Sequence, residues 1–364
     1  MNTSNIKLNI GIGLAAVAGL AGSAYLFNSK KKSSTNSNNQ QTHWEPVDET
    51  CHHQNSDIVV LIGDIGGTNC RLELYNVLEK TTISEKYLST NDFPGMEEAL
   101  KFFVKDYEGT PNYPIFGCIA IAGYISNNTL HNMANANWSK ASGNDIAESL
   151  GLSFLKLLND FEAIGYSILK VDAQKLVALN PSKPNLNINE LVAIVGPGTG
   201  LGVALLTSLE IDMRMYYKVI VSEGGHIGLP PRTETDFKLH KFLHDKAKVE
   251  KDTYVRVEYL CSGIGIPYMY QFIKENEGIT EENPKLKELG DQITGGDVFI
   301  AAKEDKDPIA IKTVEMFIQN LAVACNTYSM VCIPKGGIVL VGNIVQYIKD
   351  YFTENSGDWD NNTF

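Results

Sequence analysis

Two carboxylates stand where apolar runs stop. Asp64 follows the run Ile58–Gly63 and opens the stretch DIGGTNCR, ending at Arg71; Asp160 follows Phe154–Asn159, a run interrupted only by Lys156 before its closing Asn. A turn rich in glycine lets main-chain N–H groups converge on one point with no side chains in the way, and such a nest binds phosphate oxygens. Gly66, Gly67, Thr68 and Asn69 would supply one nest, with Arg71 beside it. Gly198, Thr199 and Gly200, within GPGTGLG, would supply a second. Both Thr68 and Thr199 add a hydroxyl donor. Asp64 would repel a phosphate directly, so its place beside a nest makes sense with Mg²⁺ between them, held through retained water. Two facing nests would hold the polyphosphate end of a nucleoside triphosphate. Asp160, a carboxylate beside an Asn after a nearly apolar run, is unusual there unless it is used.

Neither glycine stretch is a Walker loop, because no Gly-Lys-Ser/Thr follows. Neither fits the dinucleotide fingerprint, because β-type sequence comes next in place of a helix. In each case an apolar run, a glycine turn and a second apolar or alternating run predict a hairpin: Ile58–Ile62 with Arg71–Tyr75, and Leu191–Val195 with Val203–Leu206. Two such hairpins half a chain apart predict duplicated architecture. Further strands are predicted at Ile115–Ala122, Phe154–Leu158 and Gly337–Val341. Helical spacing runs from Met96 to Tyr107 and from Phe161 to Leu169. A short helix over Ile146–Leu150 has Ser142 or Asn144 to cap it and Gly151 to end it. Helices are also predicted at Asp236–Lys246, Gly265–Asn276 and Ile309–Met330. Strands alternating with helices make an α/β protein, with ligands at the carboxyl ends of strands. Asp64, Asp160 and Gly342 all fall at such ends.

The chain has 364 residues, 43% hydrophobic, enough for two domains with a core each. Its formal net charge of −12 argues against nucleic acid as a partner. The six cysteines show no C-x-x-C pair, and four lie in apolar runs, so the compartment reads as reducing. Cys51-His52-His53 reads as a solvated accident in a polar tail. Before the folded part, Ile10–Phe27 is apolar and is followed by Lys30–Lys32. It reads first as a membrane anchor that leaves the following domain in the cytoplasm, second as a cleaved secretory signal, and last as a buried helix. The polar stretch after it reads as a flexible linker. The domains are therefore placed at 1–56 (apolar segment and linker), 57–160 (first motif) and 161–364 (second motif).

DIGGTNCR, LNDF at Leu158–Phe161, GPGTGLG at Gly196–Gly202 and SEGGH at Ser222–His226 occur in an order that closely resembles the bacterial-type glucokinases. Those enzymes lie within the actin-like ATPase superfamily. The match covers roughly Ile58–Val345. The resemblance implies a two-domain, ribonuclease H-like sugar kinase fold hinged around a central cleft. It also implies ATP and Mg²⁺ as cofactors, glucose as substrate phosphorylated on its 6-hydroxyl, and a homodimeric cytoplasmic enzyme of glycolysis. It makes Asp160 the general base and Asn135, Asn159, Glu223, His226 and Glu258 sugar ligands. Gly342 and Asn343 fall on the adenine side. Without the resemblance, His226 reads as a structural histidine and Glu258 as a surface acid.

Carboxylates and amides do suit a sugar, whose hydroxyls each donate and accept. The chain departs from the family at Asn343, where a second glycine is usual, at Tyr124, often Pro, and in a short, polar C-terminal stretch. That last departure keeps a catalytically impaired or regulatory sugar-binding isoform as an alternative, beside a related hexose or N-acyl-hexosamine kinase. A repressor of the related regulator and kinase group would carry a helix-turn-helix and a cysteine-rich motif after the histidine; Ile227–Thr235 shows no cysteine. A chaperone-type ATPase would lack the sugar ligands.

Overall fold

The computed structural model describes residues 58–133, 138, 140–172, 176–179, 186–247, 254–276, 278–279 and 282–354. Asn135, the apolar segment 10–27, Cys51–His53 and the last ten residues lie outside them. The chain divides into two compact units between Val171 and Asp172.

The first unit is built on a five-stranded sheet. Strands β1 (Val59–Ile65), β2 (Asn69–Asn76) and β3 (Thr81–Ser89) form an antiparallel meander. On its other edge β1 pairs in parallel with β4 (Phe116–Ile121). A small sheet of β5 (Gly123–Ser126), β6 (Thr129–Met133) and β7 (Ala141–Ser142) follows, and β8 (Phe154–Asn159) then returns to pair in parallel with β4. The continuous apolar run of β1 is explained by burial on both faces. Leu61 and Ile65 face one cluster with Leu72, Leu100 and Phe103; Val60 and Ile62 face another with Leu158 and Ala163. Helices α1 (Met96–Val104) and α2 (Gly143–Leu150) bury their apolar residues in the first cluster. The Ser142 hydroxyl caps α2 by accepting the Asp145 N–H, and Gly151 ends it in the left-handed region at φ 66°. Helix α3 (Asp160–Ser167) packs on the opposite face through Ala163 and Tyr166.

The second unit repeats the plan. Strands β9 (Val192–Pro197), β10 (Leu201–Ile211) and β11 (Arg214–Ser222) form an antiparallel meander, and β12 (Gly337–Leu340) pairs in parallel with β9. The order β11-β10-β9-β12 matches β3-β2-β1-β4, so the duplication expected from two glycine hairpins is present in the strand topology. Around this sheet lie α4 (Glu234–Lys246), α5 (Glu258–Cys261), α6 (Ile266–Asn276), α7 (Pro284–Leu289), α8 (Gly295–Ile300), α9 (Pro308–Cys332) and α10 (Asn343–Glu354). Among the described residues α9 alone has the length and apolar composition of a membrane span. Its buried residues, Ile309, Val314, Phe317, Ile318, Leu321 and Tyr328 among them, line the core of this unit, which accounts for the composition. Burial pushes the thiols of Cys118 and Cys325 up to about 12, so both are inert packing groups.

Candidate active site

In the first unit, parallel pairing fixes where the two acids stand. Asp64 lies opposite Ala120 on β4, and Ile121, the next β4 residue, lies opposite Asn159 on β8. Asp64 and Asp160 therefore occupy the same end of the sheet, two strands and about 9–10 Å of backbone apart. Asp160 feels the charge of Asp64. Burial raises the pKa of Asp160 above the ordinary aspartate range, the Phe161 N–H that its Oδ1 accepts at 2.8 Å pulls back, and the Asp64 charge raises it again. Asp64 is raised by loss of hydration and held down by the Arg71 charge, though its side chain keeps an opening to solvent. Raised pKa values on carboxylates at a strand end mark a group poised to take a proton.

Asn159 caps α3: its side-chain oxygen accepts the Phe161 N–H at 2.9 Å and the Glu162 N–H at 3.3 Å, and its amide donates to the Gly123 carbonyl at 3.2 Å. Asn159 thus builds the platform for Asp160, and only its amide nitrogen keeps a donor for anything else. The Asn-Asp pair at the end of an apolar run carried this signal in the sequence, as a helix N-cap.

The first glycine turn closes with the Gly66 N–H donating to the Asn69 carbonyl at 2.8 Å, so Gly66 shapes the nest without lending it a donor. Among the described residues the N–H groups of Gly67 and Thr68 have no protein acceptor. Thr90 clamps the turn from below: its hydroxyl donates to the Gly66 carbonyl at 2.8 Å and its N–H to the Thr68 carbonyl at 3.0 Å. Trp138 in turn holds Thr90, donating its indole N–H to the Thr90 and Phe93 carbonyls at 3.2 and 3.0 Å. Neither Thr90 nor Trp138 stood out in the sequence, because both act through contacts far along the chain. Trp138→Phe keeps an aromatic side chain, though a smaller one, and deletes the donor. It is expected to destabilise the protein by about 1–3 kcal/mol in a denaturant titration. It should also raise the nucleotide KM more than the sugar KM; equal changes in both would separate this clamp from the nest.

Arg71 lies opposite Asp64 in the β1–β2 register. Its guanidinium pairs with Glu85, lies 3.8 Å from Glu73 and sits over the Tyr87 ring at 5.6 Å. Within this unit Arg71 thus reaches Asp64 as a charge and makes its hydrogen bond elsewhere.

In the second unit the SEGGH stretch and the later Glu258 come together. His226 lies with Nδ1 3.0 Å from Glu223 Oε2 and Nε2 3.7 Å from Glu258 Oε1. The main chains of the two segments are joined where the Val257 N–H donates to the Ile227 carbonyl at 2.8 Å and where Gly228 bridges Arg256. Glu258 is buried at 9% exposure, not the surface acid its sequence context alone suggests. The turn at Gly224–His226 is pinned from α9 by the Tyr328 hydroxyl, which donates to the Gly224 carbonyl at 3.0 Å. Glu223 and His226 remain exposed on the other side.

The same cluster touches the second glycine turn. The Gly198 N–H donates to the Gly200 carbonyl at 2.8 Å, and the Gly263 and Ile264 N–H groups donate to the Gly198 and Thr199 carbonyls at 2.8 and 3.1 Å. The N–H groups of Thr199 and Gly200 have no protein acceptor among the described residues. A Cβ on Gly200 would stand 3.2 Å from Glu258 Oε2, which places a candidate sugar ligand in contact with the phosphate nest. Gly342, at φ 102°, lies against the other side of this turn, where a Cβ would come within 3.0 Å of the Pro197 carbonyl. Asn343 follows as the first residue of α10.

No group of three metal-ligating side chains occurs among the described residues. Asp64 alone fits Mg²⁺: a single carboxylate beside a nest, with no protein donor to its oxygens among the described residues, suits an ion held mainly by polyphosphate and water.

A family model described as glucokinase matches residues 61–357, a span that includes every site residue named above. A glucokinase of Nostoc sp. is 32% identical over 306 residues, covering 80% of this chain and 85% of its own. One from Cronobacter sakazakii is 29% identical over 297 residues, covering 81% and 84%. Among solved structures, a glucokinase from an Antarctic psychrotroph superposes with a TM-score of 0.63 at 24% identity, over 83% of this chain and 87% of that one. The glucokinase of Balamuthia mandrillaris, solved with glucose, gives 0.60 at 19% identity over 82% and 83%. These likenesses to structures speak for the actin-like sugar kinase fold.

Proposed function

This chain belongs to the glucokinase family, and from that premise we propose that it transfers the γ-phosphoryl group of ATP to the 6-hydroxyl of glucose. The observation that carries the reading is Asp160: an acid held at the end of β8 by its own helix cap, raised in pKa by burial, beside Asp64 and its glycine nest. A base of that kind takes the hydroxyl proton as the oxygen attacks phosphorus and the bond to the leaving β-phosphate oxygen breaks. The N–H groups of Gly67 and Thr68 in one unit, and of Thr199 and Gly200 in the other, have no protein acceptor among the described residues and are suited to phosphate oxygens as charge redistributes, with Thr68 and Thr199 adding hydroxyl donors. Asp64 would hold Mg²⁺ through water, and the ion would supply neutralisation of phosphate charge. Glu223, His226 and Glu258 accept from and donate to sugar hydroxyls, with Asn159 supplying a further amide donor and Asn135 expected to do the same. A hydroxyl missing or inverted leaves such a group unpaired, which is the basis of discrimination. Gly342 and Asn343 are expected on the adenine side, as the family resemblance implies. The enzyme is expected to work in the cytoplasm, where ATP is supplied, and residues 10–27 to tether it to a membrane.

A coupled assay with MgATP tests this across glucose, mannose, fructose and N-acetylglucosamine. Glucose is expected to give the highest kcat/KM. Preference for N-acetylglucosamine would move the chain to an N-acyl-hexosamine kinase, and turnover of none of them would favour a regulatory sugar-binding role.

A further inference from the structure

We propose that Arg256 is a positioning residue for sugar recognition, acting through Glu258; the inference rests on the glucose kinase reading above. Glu258 presents two oxygens to different neighbours. Arg256 donates from Nη1 to Oε1 at 3.3 Å, and the same oxygen lies 3.7 Å from His226 Nε2. Oε2 faces the backbone of Gly200. A buried carboxylate is stabilised by a paired cation, and a hydrogen bond from that cation helps fix its rotamer. Arg256 supplies that cation and one hydrogen bond, from Nη1 to Oε1.

The backbone under Arg256 is fixed on two sides. It bridges Gly228, two residues beyond His226, and its carbonyl accepts the Tyr259 N–H at 3.0 Å at the start of α5. The bridge and the adjoining Val257–Ile227 hydrogen bond join the two sugar-binding segments in register. The Arg256 side chain thus leaves a defined point and spans only two residues to its partner. It is about half exposed, at 52% for the side chain, so it reaches Glu258 from the solvent side and does not fill the core. Its value lies in orienting and charging Glu258, not in packing. The same Glu258 oxygens stand between His226 and the second glycine turn, so a wandering carboxylate would disturb the sugar contacts.

Arg256→Gln should raise the glucose KM about tenfold or more while kcat falls less than threefold. Arg256→Lys, which keeps the charge and loses the fork, should recover part of the loss. The deciding comparison is made in a Glu258→Gln background, where adding Arg256→Gln should have almost no further effect on KM. Melting temperatures of all four variants, expected to lie close to that of the parent, control for folding. If Arg256→Gln leaves the glucose KM unchanged, or lowers kcat and not affinity, or acts as strongly without the Glu258 carboxylate as with it, the positioning role is wrong while the kinase reading stands. Should the parent enzyme phosphorylate no sugar, both fall together.

Discussion

Asp160→Asn is expected to lower kcat for glucose phosphorylation by about 10²–10⁴-fold, the usual contribution of a positioned base. Glucose affinity should be largely kept, because the amide is isosteric and can still hydrogen-bond the hydroxyl. The same substitution should stabilise the protein. Burial and the neighbouring Asp64 raise the pKa of Asp160, so its ionised form is held against its preference in the folded state. The sign follows from linkage. Above the folded pKa the carboxylate is charged in both states and the penalty is fully present. It declines as pH falls from the folded pKa toward the ordinary aspartate value of 3.8, and is gone below that. Asp160→Asn should therefore melt higher than the parent at neutral pH, with the gap closing as the pH enters the ordinary aspartate range. Since burial and the Asp64 charge raise the pKa of Asp160, the acid limb of kcat/KM should lie above the usual aspartate range. A variant that loses activity and melts lower at neutral pH would point to a structural role for Asp160.

Gly225→Ala should be the most damaging single methyl group in the sugar-binding segment. A Cβ there would come within 2.0 Å of the Leu201 carbonyl oxygen and 3.0 Å of its carbon, both backbone atoms of β10. A flexible side chain could move aside more readily than a main-chain carbonyl of β10. The turn must lift off the strand, carrying Glu223 and His226 with it and breaking the register with Arg256–Glu258. Overpacking of this kind costs about 1–3 kcal/mol in an ordinary core, and a backbone obstacle places it at or above the upper end. Urea titration should show that loss, and the glucose KM should rise by more than tenfold. The neighbouring Gly224→Ala meets only the Val203 side chain at 2.8–3.0 Å, so it should be milder. Equal effects at the two positions would contradict this reading of the turn.

The parts of this fold that show plainly in the sequence are those governed by local periodicity and by end signals. The hairpins at Gly66 and Gly198, the α2 helix with Ser142 and Gly151, and the long α9 could all be placed. Elements whose residues face water on both sides could not. In β11 only Val219 is fully buried, so no alternation announces a strand that exists by pairing with β10. Strand β3 hides for the same reason, and β5–β7 are too short to show a period. Helix α10 begins directly after the Gly342 turn, where the sequence reads as an ending; Ile344 and Ile348 at helical spacing were its available signal.

The site divides along the same line. Asp64 and Asp160 announce themselves by type and position, whereas Glu223 and His226 are identified only through their resemblance to a family motif. Thr90, Trp138, Tyr328 and Arg256 carry neither signal, because each matters through a partner distant in sequence or through a main-chain bridge. Glu258 was identified only by its resemblance to a family motif, since nothing local reveals that its carboxylate is buried against Gly200.

The most direct test of the central claim is ³¹P NMR of the full chain with ATP, Mg²⁺ and glucose, run beside Asp160→Asn with glucose binding checked separately. The account predicts a glucose 6-phosphate resonance growing with the parent and nearly absent with the variant, which still binds glucose. Release of inorganic phosphate with no sugar phosphate, or equal product from both proteins, would contradict it.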